Sequence, residues 1–245
     1  MQIKSLVFKT RIIRQTIMTK KIKYDGWELE FFDKADNFRN YQFDLIKSSL
    51  KGRVAEIGPG NGIFFDKYKN IVDEVDLYEP SINFLKSLES KKKDNTKIIN
   101  SNFIEKPNYY DTVLYLDVFE HIEDDILELE KAYVSLKKNG CLIINVPAFQ
   151  HLYSQFDKDI NHFRRYSKSS LLKLTNNFDF SKVDFKYYDS IGYMLSLASK
   201  NSKLDYKNNF SIKIKVWDKL INLSKIIDLL IFNKVGKSLI VKCIK

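Results

Sequence analysis

Cysteine, arginine and histidine are scarce in this chain of 245 residues, and long apolar runs are missing altogether. Cys141 and Cys243 are too few and too far apart for a disulfide framework or a cysteine metal cluster. A reduced, cytosolic setting is therefore expected and a metal site is not. No segment reaches the roughly 20 apolar residues of a membrane span, and Met1 to Met18 lacks the apolar centre of a signal peptide. A soluble or peripheral protein is expected, and Met18 is an alternative start. Acids are absent from residues 1–23, whose seven Lys and Arg give that arm +7. Eleven Lys against Asp205, Asp218 and Asp228 give residues 200–245 +8, so of the total of +10 the middle keeps −5. Two basic ends on an acidic body suit an anionic partner, lipid or nucleic acid, although drift toward Lys would produce the same bias.

Apolar content of 44% and aromatic content of 14% are enough for one well-buried core, so a single domain with elaborations is expected. Glycine is sparse too, yet three of the eight fall within five positions, in Val54-Ala55-Glu56-Ile57-Gly58-Pro59-Gly60-Asn61-Gly62. An apolar run that stops at Gly reads as a buried parallel strand, and Ile63 to Tyr68 reads as the first turns of a helix. Glycines allow positive φ and close approach of a ligand, and a helix start offers free N–H groups to an anion. A dinucleotide fold would place its third Gly where Ile63 stands.

The spacing Glu56-x-Gly58-x-Gly60-x-Gly62 instead resembles motif I of the class I S-adenosylmethionine (SAM) dependent methyltransferases. Further along, Ile71 to Tyr78 reads as a second strand that ends in Glu79-Pro80, with Ser81 capping a helix over Ile82 to Leu88. Glu79 falls at the carboxyl edge of the sheet, where open α/β folds bind ligands. The resemblance implies that it accepts the ribose hydroxyls. Strand three, Lys97 to Asn100, leads to Asn102 and Phe103, and by the same resemblance Asn102 reads the adenine, standing where the family usually carries Asp. Strand four, Thr112 to Leu116, runs into Asp117-Val118-Phe119-Glu120-His121-Ile122. That segment is similar to its counterpart in methyltransferases acting on small molecules, lipids and glycans. The Asn-Pro-Pro-Tyr of nucleic-acid amino methyltransferases is missing, which makes nucleic acid an unlikely partner.

A helix is expected from the acids at 123 to 125 through Leu136, stopping at Lys137 to Gly140, with strand five over Cys141 to Pro147. All three histidines, His121, His151 and His162, then follow strands four and five, where an acceptor must sit. His121 and His162 are the candidate bases. Asp157 to Tyr166 resembles the HD-x-x-x-GH-x-RRY element of a bacterial methyltransferase subgroup tied to cell-surface glycans and lipid-linked sugars, with Phe156 for the usual His and Asn161 for the usual Gly. His151, Asp157, Arg164, Arg165 and Tyr166 are the candidate acceptor contacts. Two adjacent Arg among only six suggest a fork for phosphate or carboxylate.

The aromatics between Tyr24 and Leu50 recur at helical spacing, and the resemblance lays that helix over the cofactor cleft. A helix over Ser167 to Asn176, strand six over Lys182 to Tyr188 and a last strand over Lys237 to Ile244 complete the reading. The implied fold is an α/β, Rossmann-like, doubly wound sheet of seven strands, order 3-2-1-4-5-7-6, strand seven antiparallel. Residues 24–245 would form the methyltransferase domain, with 1–23 as a basic arm and a helical insertion at about 189–236. Val216, Trp217, Leu220, Ile221, Leu223, Ile226, Ile227, Leu230 and Ile231 form its stripe, with Asp218, Asn222 and Lys225 opposite and Lys207, Lys213, Lys215, Lys219, Lys225, Lys234 and Lys237 along its flanks. A helix packed on the domain is expected, an interfacial membrane helix being the alternative. The activity implied is methylation of a small-molecule, glycan or lipid-linked sugar acceptor, and the other reading is a non-catalytic SAM-binding scaffold docked on membrane or RNA.

Overall fold

The computed structural model describes Tyr24, residues 26–199 and residues 209–245. The basic arm, Met18 and Lys207 lie outside the described residues. Seven strands form one sheet: β1 (Arg53–Ile57), β2 (Glu74–Tyr78), β3 (Thr96–Ile99), β4 (Tyr110–Leu116), β5 (Leu136–Pro147), β6 (Lys182–Tyr188) and β7 (Ser238–Ile244). Their order is β3-β2-β1-β4-β5-β7-β6, and β7 runs antiparallel to both neighbours, as expected. Period-two alternation makes two cores. Val54, Leu114 and Ile143 face one layer, while Ala55, Ile57, Val113 and Ile144 face the other.

The helices are α1 (Leu29–Phe32), α2 (Asp36–Ile46), α3 (Phe65–Tyr68), α4 (Ile82–Lys91), α5 (Asp125–Ser135), α6 (Gln155–Asp159), α7 (Lys168–Thr175), α8 (Ser190–Ser199) and α9 (Phe210–Leu230). Several expected boundaries move. The N-terminal helical stretch is two helices, α1 and α2, separated at Asp33 to Ala35. Strand β2 begins at Glu74 instead of Ile71, because Asp73 and Glu74 donate their N–H groups to the Gly52 carbonyl first. The stop expected at Lys137 to Gly140 is already strand, pairing Leu136 with Tyr110 across a bulge where Asn139 takes φ 63°.

The inserted helix α9 buries only part of its expected stripe. Trp217 and Ile221 face the core, but so do Asp218, Ser224 and Asp228. The carboxylates serve helix ends elsewhere. Helix α2 has Ala35 at its N-cap, which offers no side-chain acceptor, and Asp218 accepts from the Phe38 N–H at 2.9 Å in its place. Asp228 does the same for α8, accepting from Asp189 N–H at 2.7 Å and Ser190 N–H at 2.9 Å, and from the Tyr41 hydroxyl at 2.9 Å. Placing Asp218 opposite the packed stripe was therefore wrong, because a buried carboxylate is stable where backbone donors converge on it. Outward, α9 carries Ile212, Val216, Leu223, Ile226 and Leu230, the last 71% exposed. The packed-helix expectation is half met, since Trp217 is buried while Leu230 is not.

Candidate functional site

A cleft opens at the carboxyl edge of the sheet, lined by Tyr24, Phe32, Asp117, His121, Phe156 and Trp217 among others. The glycine turn after β1 lies next to it, Gly60 facing the Leu29 side chain of its lining. Gly58, Gly60 and Gly62 take φ of 65°, 53° and 71°, conformations that cost other residues about 1 kcal/mol or more. A Cβ on Gly58 would lie 2.7 Å from the Val118 side chain. The helix that follows, α3, is only four residues long, so the anion site expected at its N-terminus is not formed. Instead the turn's backbone is tied to a carboxylate. Glu79, buried at the end of β2, accepts from Gly60 N–H at 3.0 Å and Ser81 N–H at 2.8 Å. Burial raises its pKa, and the two N–H groups oppose that rise. Ser81 sits at the N-cap of α4 without making a side-chain cap.

Glu56 is fully buried, and its carboxylate accepts from the Tyr68 hydroxyl at 2.6 Å. Burial pushes its pKa up to about 7 against that bond. Asp117 follows β4 in the left-handed region, φ 56°, a conformation that a non-glycine residue holds only when its surroundings impose it. Here Asn145 donates to its Oδ1 at 2.6 Å and Arg39 approaches Oδ2 at 3.4 Å. Pro80 and Val118 flank these residues in sequence, Asn102 is exposed, and Phe103 is buried against the Tyr78, Tyr110 and Tyr115 rings.

The far side of the cleft is a side-chain network. His121 and His162 come together, ring centroids 4.5 Å apart. Burial, then the neighbouring His162, push the His121 imidazole down to about 3, so it is neutral at physiological pH. His162 Nδ1 lies 3.0 Å from Asp157 Oδ1. Asp157 in turn takes a forked pair of bonds from Arg165, at 2.8 and 3.0 Å, and the Ser154 N–H at 2.8 Å. Burial alone would raise the Asp157 carboxyl, but His162 and Arg165 hold it far below the usual carboxylate range. Glu120 is buried beside the two histidines, and neither carboxylate oxygen has a hydrogen-bond partner. Burial, then the charge of Asp117, raise its pKa well above the ordinary value.

Several expected acceptor contacts are used otherwise. Arg165 lines the cleft, but its fork is committed to Asp157; Arg164 bonds Asp125 at 2.6 Å and the Glu123 carbonyl at 2.8 Å. The expected paired fork for an anionic acceptor is therefore not free, because each guanidinium already neutralises a carboxylate of its own chain. Tyr166 is buried and donates toward Asp125. His151 is exposed and bonds Tyr193, and it does not line the cleft. Sequence reasoning did not place Glu120, Arg39, Trp217 or Lys237 in the cleft, although it read Trp217 and Lys237 as part of the insertion's stripe and flank. The rarity of Arg would have flagged Arg39, as it flagged Arg164 and Arg165. Lys237, whose ammonium lies 4.8 Å from the Trp217 ring, carries no signal in a chain this rich in Lys.

A family model described as "Methyltransferase domain" matches residues 27–184. A SAM-dependent methyltransferase from Archaeoglobus fulgidus has a similar structure, with TM-score 0.61 and 18% identity, covering 89% of this chain and 98% of that one. A SAM-dependent methyltransferase from Thermotoga maritima gives TM-score 0.61 and 18% identity over 90% and 95%. Phosphoethanolamine N-methyltransferase 2 of Haemonchus contortus, in complex with phosphomonomethylethanolamine and S-adenosylhomocysteine, gives TM-score 0.61 and 14% identity over 90% of this chain and 59% of that one. No curated protein matches the sequence. At these identities the structures speak for the fold.

Proposed function

We propose, for a chain that belongs to the methyltransferase-domain family and is a SAM-dependent methyltransferase, that it methylates an oxygen or nitrogen of a small molecule, glycan or lipid-linked sugar. The observation that carries this reading is a glycine turn tied to Glu79 whose Gly60 abuts Leu29, a residue of the cleft that His121 and His162 also line. Bound SAM supplies an electrophilic methyl group. Glu56, Gly58, Pro59, Gly60 and Gly62 would hold its amino-acid end, Glu79 and Pro80 its ribose, Asn102 and Phe103 its adenine, and Asp117 and Val118 the wall beside the sulfur. The residues suit this. A Cβ at Gly58 would fill the turn, and the buried Glu79 oxygens keep acceptor capacity beyond their two backbone bonds.

Orientation does most of the work in a transfer of this kind. Phe32, Phe156 and Trp217 would offer an aromatic wall to the apolar part of an acceptor, in the cleft that His121 and His162, the proposed catalytic pair, also line. The methyltransferase domain runs over residues 24–245, with residues 189–236 as its insertion. Calorimetry tests the cofactor half: Glu79→Ala should weaken SAM by about 1.5 to 3 kcal/mol, the loss of charge-assisted bonds. Cell extracts incubated with isotopic SAM and the purified protein test the acceptor half. Incorporation into one extractable molecule is expected, and SAM binding with no incorporation would favour the scaffold reading.

The outward face of the insertion supports peripheral contact with an anionic membrane at its cytoplasmic side. Ile212, Val216, Leu223, Ile226 and Leu230 are exposed on one ridge of α9, and Met194 and Leu197 are exposed on α8. Lys213, Lys215 and Lys219 stand among them, exposed. Apolar area and about 1 kcal/mol per Lys on anionic lipid would act together. Among the described residues no helix is long and apolar enough to cross a membrane. Flotation with anionic vesicles should be salt-sensitive and should fall when Leu223 and Ile226 become Lys.

A further inference from the structure

Glu120, His121 and His162 lie 42 positions apart at their extremes and carry no metal-ligand spacing in the sequence. Folded, they bring one carboxylate oxygen and two ring nitrogens within 4.8 Å of one another. We propose that this trio binds a divalent transition-metal ion, with Zn2+ as the best fit to the donors, and that the ion's open position faces the acceptor in the cleft.

Three independent features converge. The first is the carboxylate. Glu120 is 1% exposed and both its oxygens lack a hydrogen-bond partner. A buried carboxylate without a partner is among the costliest groups in a folded chain, and a cation is the partner that removes the cost.

The second is spacing. His162 Nε2 lies 3.7 Å from Glu120 Oε1. That is too long for a hydrogen bond, but ligands about 2.1 Å from a common tetrahedral ion stand about 3.4 Å apart. A shift of a few tenths of an ångström would complete this edge, and small side-chain rotations would bring in His121.

The third is the layer behind the ligands. Asp157 accepts from His162 at Nδ1, so the ring presents Nε2 to Glu120, and Arg165 and Ser154 fix Asp157 itself. This carboxylate–histidine arrangement sets the tautomer and ring angle that a metal ligand needs. Two imidazoles and one carboxylate favour Zn2+, Fe2+ or Mn2+ over Mg2+ and Ca2+, which prefer oxygen ligands throughout. Three protein ligands leave a position open, and all three residues line the cleft with Tyr24 and Phe156. Resting on the methyltransferase reading, the ion selects hydroxyl-bearing acceptors, since a hydroxyl oxygen is a natural further ligand. His162 is then a metal ligand instead of a free base.

The test uses the full chain, stripped with chelator and dialysed. Titration with Co2+ followed by its visible absorption, and with Zn2+ by calorimetry, should show one ion per chain. Glu120→Gln and His162→Ala should each weaken binding by at least about tenfold, and Asp157→Asn by about tenfold through the His162 ring. Thermal melts identify any variant that fails to fold; His121→Gln, which leaves the Asp157 network intact, then serves as the replacement. SAM affinity measured on the stripped protein keeps the two readings apart. No binding of Co2+ or Zn2+ by the unaltered chain, or equal affinity in folded Glu120→Gln and His162→Ala, overturns the metal site while retained SAM binding leaves the methyltransferase standing.

Discussion

On the glycine side, around the turn after β1, the bonds are short-range and involve the backbone. Gly58 N–H donates to the Tyr78 carbonyl at 2.9 Å, and Gly60 N–H donates to Glu79 at 3.0 Å, joining two adjacent strand ends. On the histidine side the bonds are made by side chains, to one another and to backbone N–H groups, and gather segments distant in the chain. Asp157 holds His162 and Arg165, Asn145 holds Asp117, Arg39 reaches in from α2, and Trp217 arrives from an insertion whose Asp218 is bonded to Phe38, 180 positions away. A turn made by backbone geometry tolerates changes around it as long as its glycines remain. A network made by buried charge fails when any one partner is lost. The first arrangement suits a shared ligand, and the second suits an individual acceptor.

The largest expected effect breaks the glycine side. Gly58→Val places a branched side chain at φ +65° with its Cβ 2.7 Å from Val118. SAM binding should disappear in calorimetry while circular dichroism still reports a folded chain, and measurable affinity would show that the turn has room to spare. Next is Asp157→Asn on the histidine side, which leaves the buried Arg165 charge without its partner. A loss of about 3 to 5 kcal/mol in urea unfolding is expected, with SAM affinity little changed. If SAM affinity falls as steeply as stability, the two sides are one unit and the contrast fails.

Glu56 sharpens the comparison through pH. Its folded pKa is raised from 4.5 to about 7, so the stability that goes with its neutral form is full below about 4.5 and is lost as pH rises through about 7. At about 1.36 kcal/mol per pKa unit the span is on the order of 3 kcal/mol. Glu56→Gln should remove this slope, leaving the variant more stable than the parent above the window and closer to it below. Parallel unfolding curves at both ends would show that burial does not hold this proton. The smallest effect is expected on the outer ridge of α9, where Leu223→Lys and Ile226→Lys should change unfolding free energy by less than about 0.5 kcal/mol. A larger loss would mean that this face is packed.

Much of the glycine side was legible because its determinants are local. A strand, three glycines and an acid at the next strand end fix a turn through φ, steric room and pairing, all of which a linear spacing records. The seven-strand order was implied by the resemblance that this local pattern supports. The α3 N-terminus was misread, since helix length depends on what α3 packs against and not on the glycines before it. Arg164 and Arg165 were misread for a related reason: a pair of guanidinium groups looks free until the carboxylates that face them are known. Asp157 is 8 positions from Arg165 and Asp125 is 39 from Arg164, and nothing in either spacing says which way the oxygens point.

The sequence by itself determined the strands and the turn, because apolar periodicity and backbone permissiveness are properties of neighbouring residues, and its motifs resembled the family that implied the sheet order. Only the tertiary structure decided that α9 buries its aspartates and shows its leucines, and that Glu120, His121 and His162 converge. Asp218 and Asp228 are stable inside because the N–H groups of Phe38, Asp189 and Ser190 meet them there. Glu120 lies against two rings because the chain after β5 returns to the end of β4, where Phe163 N–H donates to the Glu120 carbonyl at 2.8 Å. Such meetings depend on three-dimensional closure, and no window along the chain contains both partners.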